Sequence, residues 1–504
     1  MRLSRWVAPD VLIPLVAVLA RVIPGPRVID DAFITFRYAQ NLLSGNGLVY
    51  NPGEPVFGIT TPLFVAVIAL LAIPTGGAQA PFPALALGVS AAADAATCWL
   101  LIQIGEQLGH RRAGWLAALL WALSPMSVTF AIGGMETSLF ILLLAATLYF
   151  HLNRQPARAA CAASLAILAR PDGALMALLL GAERVRSWLR KSPASPPPSL
   201  REAAAFSIPL ALWSAFGWAV YGSPIPHSIL AKATAYHLPS EAALVRLLQH
   251  FSTPFLEQEL VGTRWIGIGL VLYPTLFVLG MRAVLRGRPE AWPMAAYPWA
   301  YFAAFALANP LIFRWYLAPP LPFYFLGIFL GLDRLAVDLR RPALAYAAAA
   351  IALVFTFGAW TPRADHGPAR PAPRMAFIRL ELLYDQVGRW LEPRLQPDEV
   401  VAAGDIGVLG FDTGAPILDL VGLVSPASSA YYPLPDSDYI INFAISPDLI
   451  ADLHPDYVVF LDSYGRRTLL EDSRFLTEYS LLESFPTDLY GSRAMLVYRR
   501  LVRP

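Results

Sequence analysis

Charge is what this chain has least of. Only 15% of its 504 residues are Asp, Glu, Lys or Arg, against 56% hydrophobic, a balance that excludes a water-soluble globular protein of this size. Cysteine is nearly absent: Cys98 and Cys161 both fall in apolar stretches, so no disulfide framework is implied. Lysine is equally scarce, with only Lys191 and Lys232 beside many arginines, a pattern we read as coding bias. No Asn-X-Ser/Thr sequon occurs, in keeping with a bacterial source. The net charge of +2 gives no reason to expect nucleic acid as a partner. No internal repeat is visible, which counts against a transporter built from inverted halves.

Apolar runs fill the space that charge leaves, and the mean hydropathy is +0.51. Candidate membrane segments fall at 7–24, 61–74, 82–104, 113–131, 137–152, 159–182, 203–221, 265–283, 291–308, 316–333 and 343–360. The fold class expected is a polytopic α-helical membrane protein of about 11 to 13 spans. Met1, Arg2 and Arg5 before Val11–Leu19 resemble a signal peptide, but Arg21 and Pro24 follow in place of a cleavage site, so a retained first span is expected. Basic clusters mark the cytoplasmic side: His110-Arg111-Arg112, Arg154 with Arg158, Arg184 to Arg201, Arg282 to Arg288 and Arg334 to Arg341. Loops 25–60, 222–264 and 309–315 then face outside, as does everything after Thr361. Segment 61–74 is short for a crossing, and 159–182 is broken by Arg170-Pro171-Asp172-Gly173. Both read as short or re-entrant pieces lining a cavity.

After residue 360 the composition shifts. TPRADHGPARPAPR, residues 361–374, reads as a linker, and 375–504 as a small extracytoplasmic α/β domain. Met375–Leu391 has helical periodicity; Glu399–Ala403, Tyr457–Leu461 and Arg493–Tyr498 read as strands. The glycines of GDIGVLG, residues 404–410, do not match the dinucleotide fingerprint, so no nucleotide site is expected there. SPASPPPS, residues 192–199, reads as a cytoplasmic loop.

The chemistry begins with two adjacent acids, Asp30-Asp31, just past the first span. Ionisable groups at a membrane are costly and tend to be functional. On a helix starting here, Asp30, Arg37 and Asn41 share one stripe, while Phe33, Phe36 and Leu43 share another. That pattern predicts an interfacial helix with its polar face toward a cavity and its aromatic face in lipid. Either Asp30 merely caps the helix, or the pair supplies a general base or a metal ligand. Two neighbouring carboxylates also raise each other's pKa, which suits a base working near neutrality. Glu54 follows in a loop whose Gly45, Gly47 and Gly53 look like turn positions. Glu136 opens a span in GGMETSLF, where it either complements a helix dipole or joins the site. Arg170 and Asp172 fit an ion pair that satisfies an interrupted helix. His227 and Lys232 in SPIPHSILAK, and Arg314 with Trp315 and Tyr316 in FRWYLAPPLP, are either interfacial anchors or holders of an anionic lipid phosphate.

Taken together, DDAFITFRYAQNLLSGNGLVYNPGEPVFGITTPLF, GGMETSLF, ARPDG, YGSPIPHSILAK, FRWYLAPPLP and GDIGVLGFDTGAPILDLVGL resemble the GT-C superfamily of polytopic glycosyltransferases. The nearest groups are the terminal arabinofuranosyltransferase-like and bacterial protein-mannosyltransferase-like ones. The resemblance covers most of the chain. It implies a sugar taken from a polyprenyl-phosphate donor and passed to a glycan, lipid or protein hydroxyl on the outer face of the cytoplasmic membrane. It also implies Asp31 or Asp30 as catalytic base, with Glu136 as a second acid. The candidates for substrate binding are Arg37, Glu54, Lys232, His227, Arg314 and Tyr316. Family members often carry an acid and a serine where this chain reads Phe57-Gly58-Ile59-Thr60-Thr61, and Asn where it has His227, so sugar specificity does not carry over. The chemistry agrees with this from its own side: a polyprenyl phosphate already leaves well, so the site needs a base and a cation, not a strong acid. No cofactor is required; Asp30 and Asp31 permit a divalent cation. Capping fits Asp30 better, which leaves Asp31 as the preferred base. A transporter or lipid flippase is the alternative, and a membrane scaffold the third reading, but acids just beyond a span's outer end fit an enzyme better than a midplane transport site.

Overall fold

The computed structural model describes residues 7–190, 197–363 and 370–501. The basic N-terminal residues, Lys191, most of SPASPPPS and the middle of the 361–374 stretch lie outside the described residues. The chain forms two compact units that interleave along the sequence. One comprises Met1–Arg27, Pro83–Leu212 and Ser240–Phe377; the other comprises Val28–Phe82, Trp213–Pro239 and Ile378–Pro504. The acid-bearing segment and the terminal α/β segment therefore share a unit, a grouping different from a division at 361–374.

The first unit is helical. Among the described residues of the whole chain, four helices are long and apolar enough to cross a membrane: Phe82–Gln107, Leu200–Tyr221, whose residues from Trp213 on belong to the second unit, Trp265–Gly287 and Arg314–Asp338. Arg111–Leu123 and Pro125–Ile132 make a fifth if counted as one span bent by 49°. Pro125 explains the bend, because it has no amide to continue the ladder. Thr137–Leu152, Pro156–Ala169 and Leu344–Gly358 are apolar but shorter; at ~1.5 Å per residue each falls short of a ~30 Å hydrocarbon core. Segment 159–182 is two helices, Pro156–Ala169 and Gly173–Leu189, with Arg170–Asp172 as the turn. Inside the unit, Arg21 and Asp94 form an ion pair with no exposure on either side. Trp121 Nε1 and Ser138 Oγ donate to the same carboxylate at 3.2 and 2.9 Å. Such a pair is tolerated in an apolar bundle only because its remaining lone pairs are also satisfied. The stretch expected as a linker carries a short antiparallel ribbon, β1 (Trp360–Arg363) on β2 (Arg370–Pro373).

The second unit is built on five strands: β3 (Val401–Ala403), β4 (Ile417–Asp419), β5 (Tyr457–Leu461), β6 (Tyr479–Pro486) and β7 (Ala494–Arg500). Their order is β4-β3-β5-β7-β6, with β3 parallel to both β4 and β5, and β7 antiparallel to β5 and β6. Strand β5 is buried at every position, which is why it read clearly as a strand. Helix Arg379–Leu391 starts four residues later than the periodicity predicts.

Helix Asp30–Leu43 belongs to this unit, and its faces are not those expected. Phe36 is fully buried and stacks at 5.9 Å on Phe82, and Phe33 lies 5.4 Å from Phe411. The aromatic stripe packs into protein where lipid was predicted. The polar stripe is equally enclosed, since Asp30, Arg37 and Asn41 are all buried. Amphipathicity alone does not distinguish a lipid neighbour from an apolar protein one.

Candidate active site

Successive residues on a helix point about 100° apart, so adjacent acids need not share surroundings. Asp30 and Asp31 do not. Asp30 is buried, and its two oxygens accept from the Gly407 and Val408 amides at 2.9 and 2.8 Å. It holds the opening turn of helix Gly407–Thr413 rather than capping its own helix, whose N-cap is Ile29. Burial and the neighbouring Asp405 carboxylate push its pKa up, while the two amides oppose that rise. The glycines of GDIGVLG now have a reason. A Cβ on Gly407 would fall 1.8 Å from the Asp30 carbonyl oxygen, and one on Gly410 would fall 2.0 Å from the Tyr50 hydroxyl. Only glycine lets these backbones approach so closely.

Asp31 keeps 30% of its side chain exposed and lies 3.7 Å from Lys232 Nζ, on helix His227–Ala235. Beyond β3 comes Asp405, half-buried, whose Oδ2 accepts from the Tyr384 and Tyr464 hydroxyls at 3.0 and 3.2 Å. Burial first, then the Asp31 and Asp419 carboxylates, push its pKa up to about 6 against the pull of the two tyrosines. Asp419 is fully buried at the end of β4 and braces the following turn, accepting from the Val421 and Val424 amides at 2.9 and 3.0 Å.

Of the other candidates, Arg37 holds main chain, whereas Glu54 and His227 meet side chains. Arg37 donates to the carbonyls of Tyr50 at 2.9 Å, Ala415 at 2.7 Å and Gly410, and its guanidinium lies 4.3 Å over the Tyr50 ring. With its donors so engaged it braces main chain. Glu54 is exposed and accepts from Asn51 at 3.0 Å. His227 opens its helix, with its amide on the Phe57 carbonyl at 2.8 Å and Nε2 3.3 Å from Ser429 Oγ.

Glu136, Arg314 and Tyr316 belong to the first unit. Glu136 is buried at the N-cap of Thr137–Leu152, 3.5 Å from Arg170 Nη1. Arg170 in turn binds Asp172 through two bonds of 3.0 Å, and its guanidinium sits 4.9 Å over the Tyr316 ring. Arg314 donates to the Met375 carbonyl, stacks 4.3 Å over Phe377, and lines a cavity of about 350 Å³. Arg246, Arg374, Gln258 and His250 share that cavity. Burial lowers the His250 pKa to about 4, so the ring is neutral at physiological pH. Its Nε2 is buried with no hydrogen bond among the described residues.

Sequence reasoning overlooked Asp405, Tyr384, Tyr464 and this arginine-lined cavity. For Asp405 a signal existed: an acid immediately after a buried strand is where open α/β sheets place ligand-binding groups. The cavity left no comparable trace, because its cations come from three separate segments. Among the described residues, no group of three or more His, Cys, Asp or Glu side chains is placed to hold a metal ion.

Residues 375–498 match a family model described as a domain of unknown function, DUF8728. A curated relative, the terminal β-(1→2)-arabinofuranosyltransferase of Mycobacterium tuberculosis, is 27% identical over 251 residues. That match covers 45% of this chain and 38% of the relative, so the chain spans well under half of its length. Among solved structures, the oligosaccharyltransferase of Archaeoglobus fulgidus, solved with zinc and sulfate, superposes with a TM-score of 0.60 at 12% identity, covering 98% of this chain and 73% of that one. ArnT of Cupriavidus metallidurans, solved with undecaprenyl phosphate, gives 0.57 at 14% identity, covering 98% and 97%. Each match covers 98% of this chain, and on that likeness the chain shares the fold of these two solved proteins.

Proposed function

We propose that the chain is a glycosyltransferase that moves a sugar from a polyprenyl-phosphate donor to an acceptor hydroxyl on the outer face of the cytoplasmic membrane, in cell-envelope glycan or glycolipid assembly. The observation that carries this reading is the division of labour between the two acids. Asp30 is committed to backbone amides, whereas Asp31 is half-exposed beside a lysine in a chain with only one other. The names of the similar proteins support it: one is an arabinofuranosyltransferase, and another was solved with undecaprenyl phosphate bound.

In this mechanism Asp31 accepts the proton of the acceptor hydroxyl as its oxygen attacks the anomeric carbon. The bond from that carbon to the donor's phosphate oxygen breaks, and the polyprenyl phosphate leaves with the electron pair. A single displacement inverts the anomeric centre. Lys232 is the cation for the phosphate. An exposed ion pair is worth at most about 1 kcal/mol, so an arriving phosphate can take Lys232 from Asp31 at little cost. Donor binding thereby releases the base for the acceptor. Glu136 remains a candidate second acid, and Arg314 and Tyr316 remain candidates for substrate binding, each to be tested singly.

The test is transfer of radiolabelled sugar from synthetic polyprenyl-phosphate donors in membranes. Asp31→Asn and Lys232→Ala are expected to insert normally and lose transfer, the first more severely. Full activity in both Asp30→Asn and Asp31→Asn would remove the catalytic assignment. Flux of labelled lipid across vesicles without sugar transfer would favour a flippase.

A further inference from the structure

The parallel strands β3, β4 and β5 end together at one edge of the sheet. Strand β3 connects onward to β4 on one side, while β5 lies on its other side, so the chain changes direction around β3. In open α/β sheets the crevice outside the carboxyl ends at such a point is where ligands bind. Asp405 follows β3 and Tyr464 follows β5, and they meet there through the 3.2 Å hydroxyl bond. Both tyrosines donate to Oδ2, and Oδ1 keeps no hydrogen bond among the described residues. The carboxylate is thus fixed in orientation with one acceptor oxygen uncommitted. Asp31 and Asp30 are near enough to act on its charge, as is Asp419. The Phe443 ring, 5.4 Å from Tyr464 and 6.1 Å from the half-buried Tyr236, supplies an aromatic wall.

The charges of the nearby carboxylates act on Asp405, which disfavours an anion at its uncommitted oxygen and leaves Lys232 to the donor phosphate. What suits the crevice is a neutral ligand that donates hydrogen bonds and lies against aromatic faces. Resting on the transferase reading above, we propose that Asp405 reads the acceptor. Its Oδ1 accepts a hydrogen bond from the hydroxyl next to the one that Asp31 deprotonates, and the acceptor is a carbohydrate with neighbouring hydroxyls. The terminal segment then contributes a substrate-binding residue of its own.

The experiment uses the full chain in lipid nanodiscs, with radiolabelled polyprenyl-phosphate sugar and octyl glycosides of arabinofuranose and mannose as acceptors, each also as its monodeoxy analogues. In the wild-type protein, removing one hydroxyl beside the reacting one raises the acceptor KM about tenfold, the loss of one hydrogen bond to a charged group. Asp405→Asn raises the KM of the intact glycoside to a similar extent, changes kcat less, and no longer distinguishes the deoxy analogue. Tyr464→Phe, which loosens Oδ2 but leaves the carboxylate in place, shifts KM in the same direction by a smaller factor, so a folding defect in one variant does not decide the matter. A deoxy penalty that persists in Asp405→Asn overturns the proposal, as does transfer only to hydroxyl-bearing peptides. Donor that is neither transferred nor hydrolysed by the wild-type protein overturns the transferase reading instead.

Discussion

Each compact unit pairs a sequence-predicted acid with a cation, and the two pairs differ in kind. In the first, Arg170 is 3% exposed, holds Asp172 by two bonds and has Glu136 at 3.5 Å, 7% exposed. In the second, Asp31 and Lys232 are 30% and 28% exposed, at 3.7 Å. Burial with several partners makes an ion pair a structural clamp whose loss strands a charge. Exposure with a longer separation makes one that a substrate can open. The same residue types therefore read as scaffold in one place and as reagent in the other.

The sharpest way to break this comparison is at the acids themselves. Asp31→Asn should lower the transfer rate by about 10²–10⁴, the usual worth of a positioned base, with expression and thermal stability unchanged. Asp30→Asn should do the reverse, costing about 1–3 kcal/mol of stability through two damaged amide bonds while retaining measurable transfer. If their effects are exchanged in the radiolabel and unfolding assays, the assignment of roles is wrong. Next, Arg170→Ala should destabilise the protein by about 3–5 kcal/mol, because the buried Glu136 and the part-buried Asp172 lose their counter-charge. Lys232→Ala should barely move the unfolding temperature and should show its defect mainly as a raised donor KM.

A smaller effect concerns pH. The folded-state pKa of Asp405 is raised to about 6, above the ordinary value of about 3.9. The folded protein therefore binds the extra proton between those values, and the Asp405 contribution to stability is present at low pH and lost as pH rises through about 6. The unfolding temperature of the wild type relative to Asp405→Asn should fall from pH 4 to pH 7; a flat difference would show that Asp405 titrates normally. Smallest of all, chelation with EDTA should leave transfer unchanged, because Asp30 already gives both oxygens to amides.

What the sequence made legible was mostly local. Ionisable residues are so rare here that Asp30-Asp31 and Lys232 stand out, and the Arg170–Asp172 pair is two residues apart, so its turn is readable from the break. Roles that depend on distant partners were not readable. The Gly407 and Val408 amides lie 377 and 378 positions beyond Asp30, and Asp94 lies 73 from Arg21. Helix Asp30–Leu43 was placed correctly but given the wrong surroundings, since its phenylalanines meet Phe82 and Phe411. Strand β6 escaped notice because its burial pattern is mixed and a register shift between Leu481 and Glu483 breaks the alternation.

Arg37 and Asp30 both direct their charge at main chain between residues 407 and 415. A chain cut before that stretch would carry a buried carboxylate without its two amides and a buried guanidinium left with only its Tyr50 and Asn51 contacts. The segment that carries Asp30 and Arg37 and the last hundred residues are thus one inheritance: neither can be exchanged with a relative's without the other, and chimeras joined between them should fail to mature unless both halves come from the same parent.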